Sequence, residues 1–268
     1  MDYEHILCGT REGVTTICLN HPDKLNALDA RMSWDLARAL DAAGQDDAVK
    51  VLVITGAGRG FCSGADLATT FRATDPKLSG VTRPTRLEPF VSFGAVVKRL
   101  HTFHKPLLCA INGVAAGAGL SLACLCDIRI ASEKARLSSI FVKRGLVADS
   151  GISYRLPRMI GTERALELMW TGEMLDAGRA LEMGLVSRVV PHDTLMEVTG
   201  ALALKIARGP STSIELMKRM VYEGLEANNF ALQIAYEAWA QEMCHLTEDC
   251  KEGVDAFLEK REARFTGN

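Results

Sequence analysis

The sequence predicts an α/β protein in which a core of alternating strands and helices is followed by a helical tail. Three observations carry that reading. Short runs rich in β-branched and aliphatic residues recur as far as residue 132, most closed by a Gly, Asn or Pro turn signal. The run VKVLVIT (49–55) is apolar almost throughout and LLCAI (107–111) repeats it, as expected of strands covered on both faces. From about residue 161 the apolar positions fall at helical spacing.

Taken in order, residues 13–19 (GVTTICL) read as a strand that ends at the turn Asn20-His21-Pro22-Asp23. Residues 29–43 place Met32, Leu36, Ala39, Leu40 and Ala43 on one helical face, with Asp29 in N-cap position. The strand 49–55 and the turn cluster 56–60 (GAGRG) follow. Residues 68–94 hold Pro76, Pro84, Pro89 and scattered charges without a clear period, which predicts an irregular or partly helical insertion lidding a pocket. The strand 107–111 leads through Asn112-Gly113 into a helix of small residues, and 127–131 forms a further strand. Helices are expected over 163–171, 176–183 and a run from 193 to 265, punctuated by Gly209-Pro210 and Asn228-Asn229. This divides the chain into a core, 1–195, and a helical region, 196–268.

Composition narrows the function classes. The 268 residues suit one large domain, and 48% hydrophobic residues suffice for a sizeable core. A formal net charge of -2 without a basic block disfavours nucleic acid as a partner. The N-terminal MDYEHILCGTREG carries charges where a secretory signal needs an apolar run, and 105–126 is too rich in small residues and interrupted by Asn112 to span a membrane. Of eight cysteines, none forms a C-x-x-C pair and no histidine spacing completes a zinc site, so no metal is expected. Cysteines inside apolar runs read as buried thiols of a reducing, cytoplasmic compartment.

Two glycine-rich turns carry little side-chain chemistry. RGFCSGADL (59–67) lets a ligand approach backbone N–H groups closely, or is a plain turn with Asp66 as helix cap. NGVAAGAGLSL (112–122) opens a helix whose free N–H groups favour an anion, or is tight Gly/Ala packing. Two such turns on neighbouring strands would let the amides of Ala65 and Ala118 meet at one carbonyl oxygen. That is an oxyanion hole, typically worth ~3 kcal/mol per donor.

HPDKLNAL (21–28), GFCSGADL (60–67), KPLLCAINGVAAGAGLSLACLCDIRIAS (105–132), GLVADSGISYRLPRMIG (145–161), TGEMLDAGRALEMGLVSRVV (171–190) and EGVDAFLEKREARF (252–265) together resemble the crotonase family, the enoyl-CoA hydratases and isomerases. The resemblance covers essentially the whole chain in order. It implies a spiral of ββα turns, a C-terminal helical trimerisation region, and a homotrimer or a hexamer built from two trimers. It also implies an acyl-CoA thioester substrate, with coenzyme A as part of that substrate and no separate cofactor. The thioester oxygen would sit between the N–H groups of Ala65 and Ala118, beside Gly64 and Gly117. Where the family commonly has glycine this chain has Ala118, whose N–H serves equally if the backbone there does not need φ > 0. Adenine and pantetheine would run past Lys24, Ala27, Ser63, Asp66 and Leu67. Phe257 and Lys260 match an aromatic and a cation supplied by a neighbouring subunit; the alternative for Lys24 and Lys260 is a solvated surface charge, which for Lys260 stands equally because an i,i+4 helix face gives the same pattern.

The two glutamates that hydratases of the family use correspond to Ser121 and Phe141, neither ionisable at neutral pH. Hydration would need other acids, such as Asp75 or Glu88 in the insertion. Asp149 matches the aspartate that isomerase-type members place over the acyl chain, and Phe141 would shape the pocket. Leu146, Val147 and Ala148 are expected to desolvate Asp149 and make it a better base; the alternative is an Asx turn before Ser150-Gly151. The expectation is an enoyl-CoA isomerase using one aspartate base, against hydration or a CoA-ester binding protein without turnover.

Overall fold

The structure, a computed structural model, describes residues 2–68, 93–227 and 229–268. Its larger sheet runs in the order β1 (Ile6–Arg11), β2 (Val14–Leu19), β3 (Val51–Gly56), β5 (Leu107–Ile111), β7 (Ile128–Ser132), β10 (Arg188–Val190). β1 and β2 form an antiparallel hairpin and every later pairing is parallel. The smaller sheet has the order β4 (Gly60–Cys62), β6 (Val114–Ala116), β8 (Arg136–Ser138), β9 (Leu175–Asp176). Each of β3, β5 and β7 is followed within a few residues by β4, β6 or β8 in the other sheet. The chain therefore climbs as a spiral that lays one strand in each sheet per turn.

Helices α1 (Ala30–Gln45), α2 (Phe93–His101) and α3 (Ala118–Leu125) fill the spaces between turns. Period-two alternation explains the continuous apolar strands. Leu52 and Ile54 pack with Met32, Leu36 and Leu40 of α1. Val51 and Val53 point the other way, to Leu195 and Ala203 of α7 (Leu195–Ala207). Each such fully buried side chain contributes about 1.5–3 kcal/mol. The sheet's second face is thus covered by a helix that starts at the boundary drawn from sequence at 195. Asp29 caps α1 as expected, its Oδ1 accepting the Met32 N–H at 2.8 Å.

After β8 come α4 (Ile152–Ile160), α5 (Thr162–Thr171) and α6 (Ala177–Glu182), the last capped by Asp176. Beyond α7, the run 193–265 divides into α8 (Ser211–Ala227), α9 (Phe230–His245) and α10 (Glu248–Glu259). α8 has no fully buried residue, and Met217, Val221, Leu225, Phe230, Leu232 and Trp239 expose a broad apolar surface on α8 and α9.

Sequence reading misses β1 and the strands β4, β6, β8, β9 and β10. The last five are two or three residues long, too short for a period to show. Of the insertion, residues 69–92 lie outside the described residues, and α2 begins at Phe93.

Candidate active site

The two glycine-rich turns meet because β4 and β6 are parallel neighbours, Gly60 opposite Val114 and Cys62 opposite Ala115. Three residues beyond each of the latter pair stand Ala65 and Ala118. Ala65 forms a parallel bridge with Leu28: the Leu28 N–H donates to Gly64 O at 2.7 Å and the Asp66 N–H to Leu28 O at 2.9 Å. Backbone alternation turns the Ala65 N–H away from Leu28. Ala118 is the first residue of α3, so its N–H has no partner inside the helix. Among the described residues neither the Ala65 nor the Ala118 N–H is hydrogen-bonded.

Glycines make this approach possible. Gly64 has φ 102°, and a Cβ there would lie 2.8 Å from Ala116 O and 3.5 Å from Ala118 N. Gly117 turns the chain into α3 at φ 54°, ψ -125°, while Ala118 itself needs no positive φ. The ring of Phe141, buried, would lie 3.9 Å from a Cβ on Gly117. Cys62 forms the floor; burial pushes its thiol up to about 12, so it stays neutral.

Asp149 is tied to the same helix. The Ser121 hydroxyl, buried, lies 3.1 Å from Asp149 O and 3.3 Å from Gly117 O, accepting oxygens on either side of it. Ser121 sits one turn beyond Ala118, about 4.5 Å along the axis. The Asp149 carboxylate accepts the Ser150 hydroxyl at 2.7 Å, and Ile152 N–H donates to Asp149 O at 3.3 Å, so the turn considered from sequence is present. Ser150 holds a left-handed φ of 59°. The expected desolvation is not found: Asp149 is exposed, as are Leu146 (38%) and Val147 (83%). Of the segment's apolar side chains only Ala148 packs against the core, while Val142, Leu146 and Val147 face outward and do not wall the carboxylate.

The 21–28 loop borders the hole. Lys24 Nζ donates to Asp66 Oδ2 at 2.7 Å, and this hydrogen bond raises the lysine pKa. Lys24 is thus ion-paired. The Ser63 hydroxyl donates to Lys24 O at 3.1 Å, Ala27 is buried, and Leu67 is 42% exposed. Asp66 also acts as the cap considered from sequence, accepting the Ala68 N–H at 3.0 Å. The structure therefore gathers Lys24, Ala27, Ser63, Gly64, Ala65, Asp66 and Leu67 along two adjoining segments, and Gly64 brings them up to Ala118, with Phe141 beside Gly117. It does not bring Phe257 and Lys260 into that group; both are exposed at the end of α10.

Two asparagines that sequence reading left without a role hold the hole's framework. Asn26, fully buried, accepts the His21 N–H and donates to Ala57 O (3.0 Å) and Gly60 O (2.8 Å). Asn112 accepts the Gly56 N–H and donates to Gly58 O (2.9 Å) and Gly60 O (3.1 Å). Each clamps the 56–60 turn, from which β4 and Ala65 depart. Neither motif carries a local signal of that role, because the backbone groups these amides reach in that turn lie 31 to 56 residues away along the chain.

The fold also brings His5, His21 and Asp29 within 4.8 Å of one another, a group the linear spacing conceals. Asp29 Oδ1 is engaged there as the α1 cap and lies 3.3 Å from His5 Nδ1. Among the described residues no helix is long and apolar enough to cross a membrane.

Residues 9–268 match the family model described as enoyl-CoA hydratase/isomerase. The chain is 39% identical over 264 residues to 1,2-epoxyphenylacetyl-CoA isomerase of Escherichia coli strain K12, covering 98% of this chain and 99% of the relative. It is 36% identical over 271 residues to trans-2-decenoyl-acyl-carrier-protein isomerase of Streptococcus mutans, covering 100% of both. The solved structure of an enoyl-CoA hydratase from Bacillus anthracis superposes with a TM-score of 0.89 at 31% identity, covering 99% of this chain and 100% of that one.

Proposed function

We propose, from the premise that the chain belongs to the enoyl-CoA hydratase/isomerase family, that it shifts the double bond of an enoyl-CoA thioester with one aspartate base. Coenzyme A enters as part of the substrate and no further cofactor is required. The reading rests on one observation above all, the amides of Ala65 and Ala118, unpartnered among the described residues and presented by adjacent turns of the spiral.

Both N–H groups donate to the thioester oxygen and strengthen as it gains negative charge. The N-terminus of α3 adds its positive end to the same point. Charge moving onto that oxygen acidifies C2. The Asp149 carboxylate takes a C2 proton, leaving a dienolate. The same carboxyl returns the proton at C4, so the double bond moves from C3–C4 to C2–C3 with no net change in atoms. Because Asp149 is exposed in the free chain, the acyl chain of the substrate, and not Leu146 and Val147, would exclude water from it.

Adding water instead would require an acid and a base placed at C3. The positions that resemble the hydratase glutamates hold Ser121, whose hydroxyl is engaged by backbone oxygens, and the buried Phe141. Asp75 and Glu88 lie outside the described residues. The exposed apolar surface of α8 and α9 supports assembly into a homotrimer or a hexamer.

Asp149→Asn is expected to abolish double-bond migration while acyl-CoA binding persists. Retained turnover, or ¹⁸O from labelled water appearing at C3 of crotonyl-CoA, would overturn the isomerase assignment. Failure of the wild type to exchange C2 protons with D₂O would leave only a binding protein.

A further inference from the structure

Helix α3 is buried along its whole length, Ala118–Leu125, and its first residue carries one of the two unpartnered amides. The turn Asp149–Gly151 is not buried: Asp149 is exposed, and Ser150 and Gly151 are half-buried. A carboxylate on such a turn wanders unless something fixes the turn to the core. Catalysis tolerates little of that, since misplacing a reacting group by about 1 Å costs up to ~10² in rate.

One side chain of α3 reaches that turn with a hydrogen bond. Ser121 is fully buried, its Oγ 3.1 Å from Asp149 O and 3.3 Å from Gly117 O. A hydroxyl has one proton and must place it on one of the two. A serine inside a helix often gives it back to the carbonyl four residues earlier, which here is Gly117. That carbonyl, however, already accepts the Ser121 N–H at 3.0 Å. Asp149 O otherwise receives only the Ile152 N–H, at 3.3 Å, among the described residues. The less satisfied acceptor is also the nearer one, so the proton lies on Asp149 O. Two further contacts limit how the turn can pivot about that bond. Gly151, at φ 83°, sits where a Cβ would stand 3.5 Å from Leu125 Cδ2 on α3 and 3.7 Å from Val97 Cγ1 on α2. The Ser150 hydroxyl, on a residue at φ 59°, donates to Asp149 Oδ1 at 2.7 Å and restrains the carboxylate itself.

We infer that Ser121 is a positioning residue whose hydroxyl latches the backbone of Asp149 to the helix that begins with Ala118, so that the base and one donor of the hole move as one body. This rests on the one-base reading above. The side chain at 121 is then more than a missing acid. It lets an exposed turn carry a base at a fixed distance from the thioester oxygen, and it does so without touching the substrate.

The test uses the full-length protein and two readouts on one bound acyl-CoA carrying ¹³C at its thioester carbonyl. Exchange of the C2 protons with D₂O reports the base; the infrared carbonyl band reports how strongly the hole polarises the thioester. Ser121→Ala is expected to slow exchange and kcat together by about ten- to a hundredfold, with KM changed by less than about twofold. The carbonyl band should stay at its wild-type position. A serine that merely packed α3 would move the band on removal, because Ala118 belongs to the same helix. Gly151→Ala strains the turn from its other end and should give the same pattern, which keeps the question answerable if Ser121→Ala does not fold. Wild-type exchange in a folded Ser121→Ala protein, or a displaced carbonyl band, would overturn the latch. The one-base reading would survive that result as long as Asp149→Asn abolishes exchange. Exchange retained in Asp149→Asn would instead overturn the one-base reading, and the latch with it.

Discussion

Replacing Gly64 by alanine is the sharpest probe of the paired amides. The new Cβ would lie 2.8 Å from Ala116 O, against an ordinary contact of 3.4 Å or more. Backbone must therefore yield by about 0.6 Å. Both sides of that contact lead directly to the hole, since Ala65 follows Gly64 and Ala118 lies two residues beyond Ala116. A φ of 102° adds strain of about 1–3 kcal/mol to any non-glycine residue. Displacing one donor by that distance forfeits most of its transition-state hydrogen bond, about 2.7–4 kcal/mol, or roughly 10²–10³ in kcat. KM should change far less, because the ground-state carbonyl carries little charge. Exchange of C2 protons with D₂O, followed by NMR on a bound acyl-CoA, isolates enolate formation from later steps. A thermal unfolding curve shows that the fold survives. Wild-type exchange in a folded Gly64→Ala protein would refute the assignment of these amides.

Asn112→Ala leaves the Gly56 N–H and the Gly58 and Gly60 carbonyls short of a partner; the expected loss is about 2–3 kcal/mol of stability together with reduced kcat, read by urea unfolding and turnover. Tyr222 accepts from Arg155 at 2.7 Å and donates to Asp127 at 2.8 Å, joining α8 to the sheet. Tyr222→Phe should cost about 1–2 kcal/mol by the same unfolding measurement without altering C2 exchange. Glu252 is held down at about 2, first by its hydrogen bonds from Arg261 and then by the Arg264 N–H, below its ordinary 4.5. Its stabilisation is therefore complete above pH 4.5 and is lost as pH falls toward 2. The gap in melting temperature between wild type and Glu252→Gln should stay constant above pH 5 and close on acidification; a gap that widens would contradict the pairing.

Legibility followed local physics. The strands 13–19, 49–55 and 107–111 and helix α1 were readable because each is long enough to show β-branched content, a continuous apolar run or a helical period, and α1 carries its own cap in Asp29. The two-residue strand β9 and the three-residue strands around it exist only because β3, β5 and β7 place them in register, so no window of sequence contains them. The roles of Asn26 and Asn112 depend on backbone groups 31 to 56 residues distant and were invisible for the same reason. The surroundings of Asp149 were misjudged in a more instructive way. A run of apolar neighbours predicts burial only when the backbone lies against a core, and Gly145, Ser150 and Gly151, all at positive φ, carry this segment around the outside of α3.

That contrast separates what the fold decides from what side chains decide. The proposed hole is built from peptide N–H groups, which every residue except proline carries, so Ala118 can stand where glycine is common and the donor offered to a thioester oxygen is unchanged. In the proposed reaction, stabilising the enolate is thus a property of the β4–β6 register and of the turns at Gly64 and Gly117. The fate of the enolate is not. In the proposed reaction it depends on which groups reach C2 to C4; among the described residues Ser121 is engaged by two backbone oxygens, Phe141 is apolar, and the backbone of Asp149 is tied to the helix that carries Ala118. One base can move a proton between two carbons, but it cannot both activate water and protonate carbon on opposite sides of a double bond without a second acid. On the proposed reading, the three side chains at 121, 141 and 149 carry the choice of reaction, on a scaffold that would stabilise the intermediate regardless of how they are filled.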